Sequence, residues 1–141
     1  MREILFRGRG NRGKWVEGFY TPISTGHDGM KDAIITGTDR NCFIPVIVIP
    51  ETIGQYTGLT DKNGKKIFEG DIIKSNGNDS YAIKYGEYIP RYYCLARYYD
   101  KPTIGFYAYD GEICLQLPTK SRCYEVIGNI HDNPELAEAL L

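Results

Sequence analysis

Pro50–Lys74 reads P-E-T-I-G-Q-Y-T-G-L-T-D-K-N-G-K-K-I-F-E-G-D-I-I-K, and the turn chemistry of these 25 residues decides the fold. Pro50 ends the strand before it, because it has no N–H to give to a ladder. Glu51–Tyr56 then reads as a bridging turn or short helix, with Gly54 arguing against a long one. Asn63-Gly64 is a strong hairpin signal, since a type I′ turn needs positive φ at both central positions. Lys66–Phe68 leads into the corner Glu69-Gly70-Asp71, and the apolar pair Ile72-Ile73 follows. Turn, strand, corner and strand at this spacing predict a strongly bent sheet.

Outward from that block the chain keeps a strand rhythm. Met1–Gly8 and Lys14–Tyr20 read as two strands joined at Arg9–Gly13. Two-residue alternation puts Ile4 with Phe6 on one face, and Trp15 with Phe19 on another. Thr21–Met30 holds Pro22, Gly26 and Gly29 and is expected to be a mobile loop. Ala33–Thr36 is a short strand candidate, and Cys42–Ile49 is a strand that lies at an edge or begins after Pro45, which cannot donate to a ladder. Downstream, Ile113, Leu115 and Leu117 face one side of a strand ending at Pro118. Tyr124, Val126 and Ile130 do the same in another. Asp132 or Asn133 is placed to cap a terminal helix that starts at Pro134 and docks through Leu136 and Leu140.

Composition agrees with many short strands. The chain has 141 residues with 16 Gly and 12 Tyr, a pairing that supplies turns and half-buried pleated surface. This length supports one domain spanning residues 1–141. Within it, residues 1–49 form an N-terminal hairpin with edge strands, and residues 50–141 a barrel-like core with the terminal helix. The expected class is mostly β, either a bent antiparallel sheet or a small SH3-like barrel.

Several function classes lose support at once. The formal net charge of −1 gives no field that would recruit a polyanion to the molecule as a whole. Ile4–Phe6 is the only early apolar run, too short for a signal peptide or a membrane span, so a cytoplasmic location is expected. Cys42, Cys94, Cys114 and Cys123 show no C-x-x-C spacing and read as buried inert thiols rather than zinc ligands. Gly8-Arg9-Gly10-Asn11-Arg12-Gly13 matches G-x-G-x-x-G, but a strand follows it where a dinucleotide site needs a helix. His27-Asp28 and His131-Asp132 sit in turn-like sequence and lack the further ligands of a metal phosphohydrolase. Asp61, Glu69 and Asp71 could gather a divalent ion for a metal-dependent hydrolase, but lysines surround them and charged hairpin corners are common. No catalytic residue, cofactor or metal ligand is therefore assigned.

Two patches retain binding potential. Arg7, Arg9, Arg12 and Lys14 form a basic arm, read either as phosphate contacts or as solvated protection of an edge strand. Nine of the 12 tyrosines fall within residues 81–109, interleaved with Lys84, Arg91, Arg97 and Lys101. Aromatic faces with cations suit unpaired bases, and equally suit a protein partner or plain cross-strand packing. The candidate partner surface is Tyr85, Tyr88, Arg91, Tyr92, Tyr93, Arg97, Tyr98 and Tyr99. A protein partner is favoured over nucleic acid, a homo-oligomer remains open, and no membrane association is expected.

The opening M-R-E-I-L-F, the segment W-V-E-G-F-Y at Trp15–Tyr20, the whole Pro50–Lys74 block and the closing V-I-G-N-I-H-D-N-P-E-L occur together. In this combination the chain resembles the YopX family of phage- and prophage-encoded proteins. That resemblance implies a mostly-β fold, a phage origin and a role inside a bacterial host cell. The family has no assigned activity, so the resemblance transfers no catalytic residue. The resulting expectation is a non-enzymatic binding or regulatory module.

Overall fold

A computed structural model of the chain describes residues 3–39, 42–90, 102–117 and 123–140. The chain divides into two compact units, Met1–Gly58 and Leu59–Leu141. Both are built from antiparallel strands.

The first unit contains β1 (Phe6–Arg9), β2 (Trp15–Ser24), β3 (Met30–Asp39), β4 (Cys42–Ile47) and the start of β5 (Gly54–Thr60). The strand order is β4-β3-β2-β1-β5. The expected bridge over Glu51–Tyr56, a turn or a short helix, is a single 3-10 turn at Pro50–Thr52, and the chain is already extended from Gly54. The buried Thr52 fixes this turn: its hydroxyl donates to the Ile49 carbonyl and accepts from the Arg9 N–H. β4 does lie at the sheet edge, where Pro45 is tolerated.

The expected loop over Thr21–Met30 is mostly strand. β2 continues to Ser24 and pairs with β3 through Ser24↔Met30, leaving a short turn in which Thr25 donates to Gly29. Pro22 misled the reading for a physical reason. β1 pairs only with Trp15–Gly18 of β2, so among the described residues Pro22 stands where β2 has a neighbour on one side only. Its missing N–H costs the sheet nothing there.

The second unit holds the end of β5, β6 (Lys66–Phe68), β7 (Asp71–Ser75), β8 (Ser80–Tyr88), β9 (Thr103–Tyr109), β10 (Cys114–Gln116), β11 (Tyr124–Asn129) and α1 (Pro134–Glu138). Its larger sheet has the order β10-β9-β8-β7-β11. Alternation in β7 and β8 sends Ile73, Tyr81 and Ile83 to one face and Ile72 and Ala82 to the other. The first group packs with Ile67, Ala108, Leu115, Tyr124 and Val126. The second lies under Ala137, Leu140 and Ile130. Neither sheet closes on itself among the described residues, so the open antiparallel architecture is the one observed and the barrel is not.

The hairpin at Asp61–Lys65 forms at the expected place with different dihedrals. Gly64 has φ +81, but Asn63 is not in the positive-φ region. The Gly64 N–H donates to the Asp61 carbonyl and the Asp61 N–H to the Lys65 carbonyl. This is a type I turn followed by a left-handed glycine, not type I′. The β7–β8 turn repeats the pattern at Ser75–Asp79, with Asn78 at φ 69 in the left-handed place.

The terminal helix also departs from expectation. Its N-cap is Asn133, whose side chain does not cap it but accepts from the Asn129 N–H at 3.2 Å. Asp132 is engaged with the Asn129 amide at 3.1 Å instead of capping. The helix docks through Ala137 and Leu140, while Leu136 is exposed. In β11 a bulge between Val126 and Gly128 shifts the register, leaving Ile127 outward and sending Ile130 to the opposite core from Val126.

Candidate functional site

β8 and β9 pair in register from Ala82↔Tyr109 to Tyr88↔Thr103. At one end of this ribbon Ile83 and Ala108 lie in the core. Two and four residues further along the same face stand Tyr85↔Phe106 and Glu87↔Ile104. Tyr85 is 53% exposed and Ile104 73%. The ribbon thus outruns its core, and a buried face becomes an open apolar one. The Tyr85 and Phe106 rings meet edge to face at 4.9 Å, an arrangement that aromatic pairs favour.

The other face is built differently. Lys84 Nζ sits 4.5 Å from the centre of the Tyr109 ring, within cation–π range. Tyr88 and Tyr107 stack at 4.6 Å. Burial raises the Tyr107 hydroxyl pKa above 10.0, with the nearby Cys114 and Tyr109 groups adding to the effect. Gly86 and Gly105 are paired opposite one another between these contacts, at φ +153 and +158, conformations that L side chains rarely adopt.

Of the expected aromatic surface, Tyr85 is therefore open and Tyr88 is not. Tyr88 is 6% exposed, because three residues' spacing along a strand puts it on the face opposite Tyr85. Tyr81 is also core. Arg91, Tyr92, Tyr93, Arg97, Tyr98 and Tyr99 lie outside the described residues. Sequence reasoning passed over Ile104 and Phe106, which only the pairing with β8 brings beside Tyr85. It also passed over Ile89, 55% exposed just past β8.

The basic arm separates into two pairs. Arg9 pairs with Trp15 across β1 and β2, and the Arg7 and Arg9 guanidinium carbons lie 4.8 and 5.9 Å from the Trp15 ring centre. Arg7 is buried and Arg9 half-buried. Arg12 and Lys14 are exposed in the intervening turn. That turn holds Gly10–Gly13 of the G-x-G-x-x-G segment, whose first two residues belong to β1; it is closed by Gly10 N–H to Lys14 O and Gly13 N–H to Gly10 O, each 2.9 Å, and β2 follows it.

Asp61 and Asp71 are engaged by backbone N–H groups. Asp61 accepts from Asn63 N–H and Lys65 N–H at 2.9 Å, and from Val126 N–H at 3.0 Å. Desolvation pushes its pKa up, but the three N–H bonds and the nearby Lys65 charge outweigh it, holding the group below the ordinary 3.8. Asp71, 1% exposed, accepts from Phe68 N–H at 2.8 Å. Both His-Asp pairs lie in turns: the His27 N–H donates to the Thr25 carbonyl, and the His131 N–H to Asn129 Oδ1. Among the described residues no group of three or more His, Cys, Asp or Glu side chains could hold a metal ion. Nor is any described helix long and apolar enough to cross a membrane.

A solved structure, that of protein EF1440 from Enterococcus faecalis, is similar to this chain. The two are 26% identical, with 96% of this chain and 99% of that one covered at a TM-score of 0.52. No curated protein matches the chain. The family described as YopX protein matches residues 5–138. That match reaches into both units and contains the Trp15–Tyr20 segment, the Pro50–Lys74 block and the closing V-I-G-N-I-H-D-N-P-E-L, and the chain belongs to the YopX family.

Proposed function

We propose that this protein is a non-enzymatic binding module of phage or prophage origin, acting in the cytoplasm of a bacterial host by contacting another protein. One observation carries the reading. The β8–β9 ribbon extends beyond its core and presents Tyr85, Phe106 and Ile104 on one face, with Tyr85 and Ile104 more than half exposed. Large aromatic and aliphatic side chains held in place on a sheet are what protein interfaces use as anchors. The engagement of Asp61 and Asp71 with backbone N–H groups supports a role for these acids in structure rather than catalysis.

The test compares capture from host lysate by the wild type, by Tyr85→Ala/Ile104→Ala, and by Phe19→Ala, a control at an exposed site in the first unit. The captured protein, once purified, should protect the amides of β8 and β9 from hydrogen exchange. Loss of capture in the ribbon variant alone, together with that protection, supports the reading. Identical recoveries by all three proteins would sink it.

A second reading rests on Arg12 and Lys14, exposed in the turn after β1. They could contact phosphates of a nucleic acid. Fluorescence anisotropy with labelled single- and double-stranded DNA and RNA separates the two readings. Phosphate contacts predict affinity that falls steeply with salt, and no binding at low salt excludes them.

A further inference from the structure

Two Asn-Gly dipeptides occur in the second unit, Asn63-Gly64 and Asn76-Gly77, and their turns treat them differently. In the first, the Gly64 N–H donates to the Asp61 carbonyl at 3.0 Å. Asn63 is held at its own N–H by Asp61 Oδ1 at 2.9 Å, and its side-chain amide reaches Glu125 at 3.5 Å. In the second, the same dipeptide sits one position earlier in the turn. The closing bond is Asn78 N–H to Ser75 O at 3.1 Å, and the left-handed residue is Asn78. Asn76 and Gly77 are the exposed central pair, and the Gly77 N–H makes no hydrogen bond among the described residues.

We propose that Asn76-Gly77 is a site of spontaneous deamidation in the native protein, and that the turn at Asn63-Gly64 protects its own pair. The Gly77 backbone nitrogen loses its proton to solvent base and bonds to Asn76 Cγ. The Cγ–Nδ2 bond breaks and ammonia leaves, giving a cyclic imide. Water then opens either carbonyl, leaving aspartate or isoaspartate at position 76. Glycine favours the attack because no side chain shields its nitrogen. At Gly64 the corresponding N–H is committed to Asp61, so the turn must open before the same bond can form. The product places a new carboxylate near Asp79. As isoaspartate it also adds a backbone carbon to the turn joining β7 and β8.

The experiment ages the folded wild-type chain in warm, mildly alkaline buffer made with oxygen-18 water, followed by peptide mass mapping over time. Position 76 should lose ammonia and gain one heavy oxygen several-fold faster than position 63. In urea the two rates should converge. Gly77→Ala should slow position 76 alone; the new methyl fits, with Ser75 Oγ and Asp79 Oδ2 at 3.7 and 3.8 Å. Equal native rates at the two positions would overturn the proposal. So would a native rate at position 76 that Gly77→Ala leaves unchanged, or reaction at both positions only after unfolding.

Discussion

Asp61 serves two backbone N–H groups of its own turn and one of β11, 65 residues away. Asp61→Ala leaves all three donors without that acceptor, and stability measured by urea denaturation should fall by about 2–3 kcal/mol. Its pKa is lower in the folded chain than the ordinary 3.8, so its charged form contributes stability that is present above that pH. That contribution is lost as pH falls through the folded value. A pH series of urea midpoints should show the decline in the wild type and lose that component in Asp61→Asn. The left-handed positions of the two similar turns make a second test. Asn78 occupies with φ 69 the place that Gly64 fills in the other. Asn78→Gly should stabilise by about 0.5 kcal/mol, since glycine adopts this conformation without the Cβ clash. Asn63-Gly64 was legible as a reversal of the chain. Its turn type was not, because the Asp61 side chain, by holding the N–H groups of Asn63 and Lys65, selects a conformation that the dipeptide alone does not.

Among the elements, α1 offers the sharpest contrast between pattern and packing. Leu136 and Leu140 are four residues apart and should share a face, yet only Leu140 is buried, with Ala137 beside it. The helix has one well-formed turn, Pro134–Glu138, and Leu140 lies past its end, where helical periodicity no longer predicts direction. Leu140→Ala should cost about 2–3 kcal/mol through the cavity it leaves against Ile72 and Ala82. Leu136→Ala should stay within about 0.5 kcal/mol. Thermal melts of the two variants decide the matter. β2 teaches the same lesson from the other direction. Its second half reads as loop because Pro22 breaks the pattern, and only the length of β1 shows that this proline harms no ladder.

At the scale of the molecule, the mostly-β class was legible because glycine turns and alternating apolar residues are local signals. The division into two units at Gly58/Leu59 falls inside β5, so no linker composition marks it. The open ribbon face was legible in part. Tyrosine density pointed to residues 81–109, but only the register with β9 sets Tyr85 beside Phe106 and Ile104 and turns Tyr88 inward. If that face serves a partner rather than the fold, Ile104→Ala should change unfolding free energy by no more than about 0.5 kcal/mol while abolishing capture. Urea denaturation and the capture assay, run on the same variant, separate the two roles.

The contact between the Asp61 turn and β11 has a consequence for behaviour in a crowded solution. Among the described residues β11 is the last strand of its sheet, and such a strand invites strands from other chains. Here the outward Tyr124 carbonyl receives the Lys62 N–H at 3.0 Å, and the outward Val126 N–H is taken by Asp61. The turn thus stands where an intruding strand would bind, so the chain blocks its own template for aggregation. Asp61→Ala should therefore scatter more light than the wild type as concentration rises, at temperatures where both remain folded.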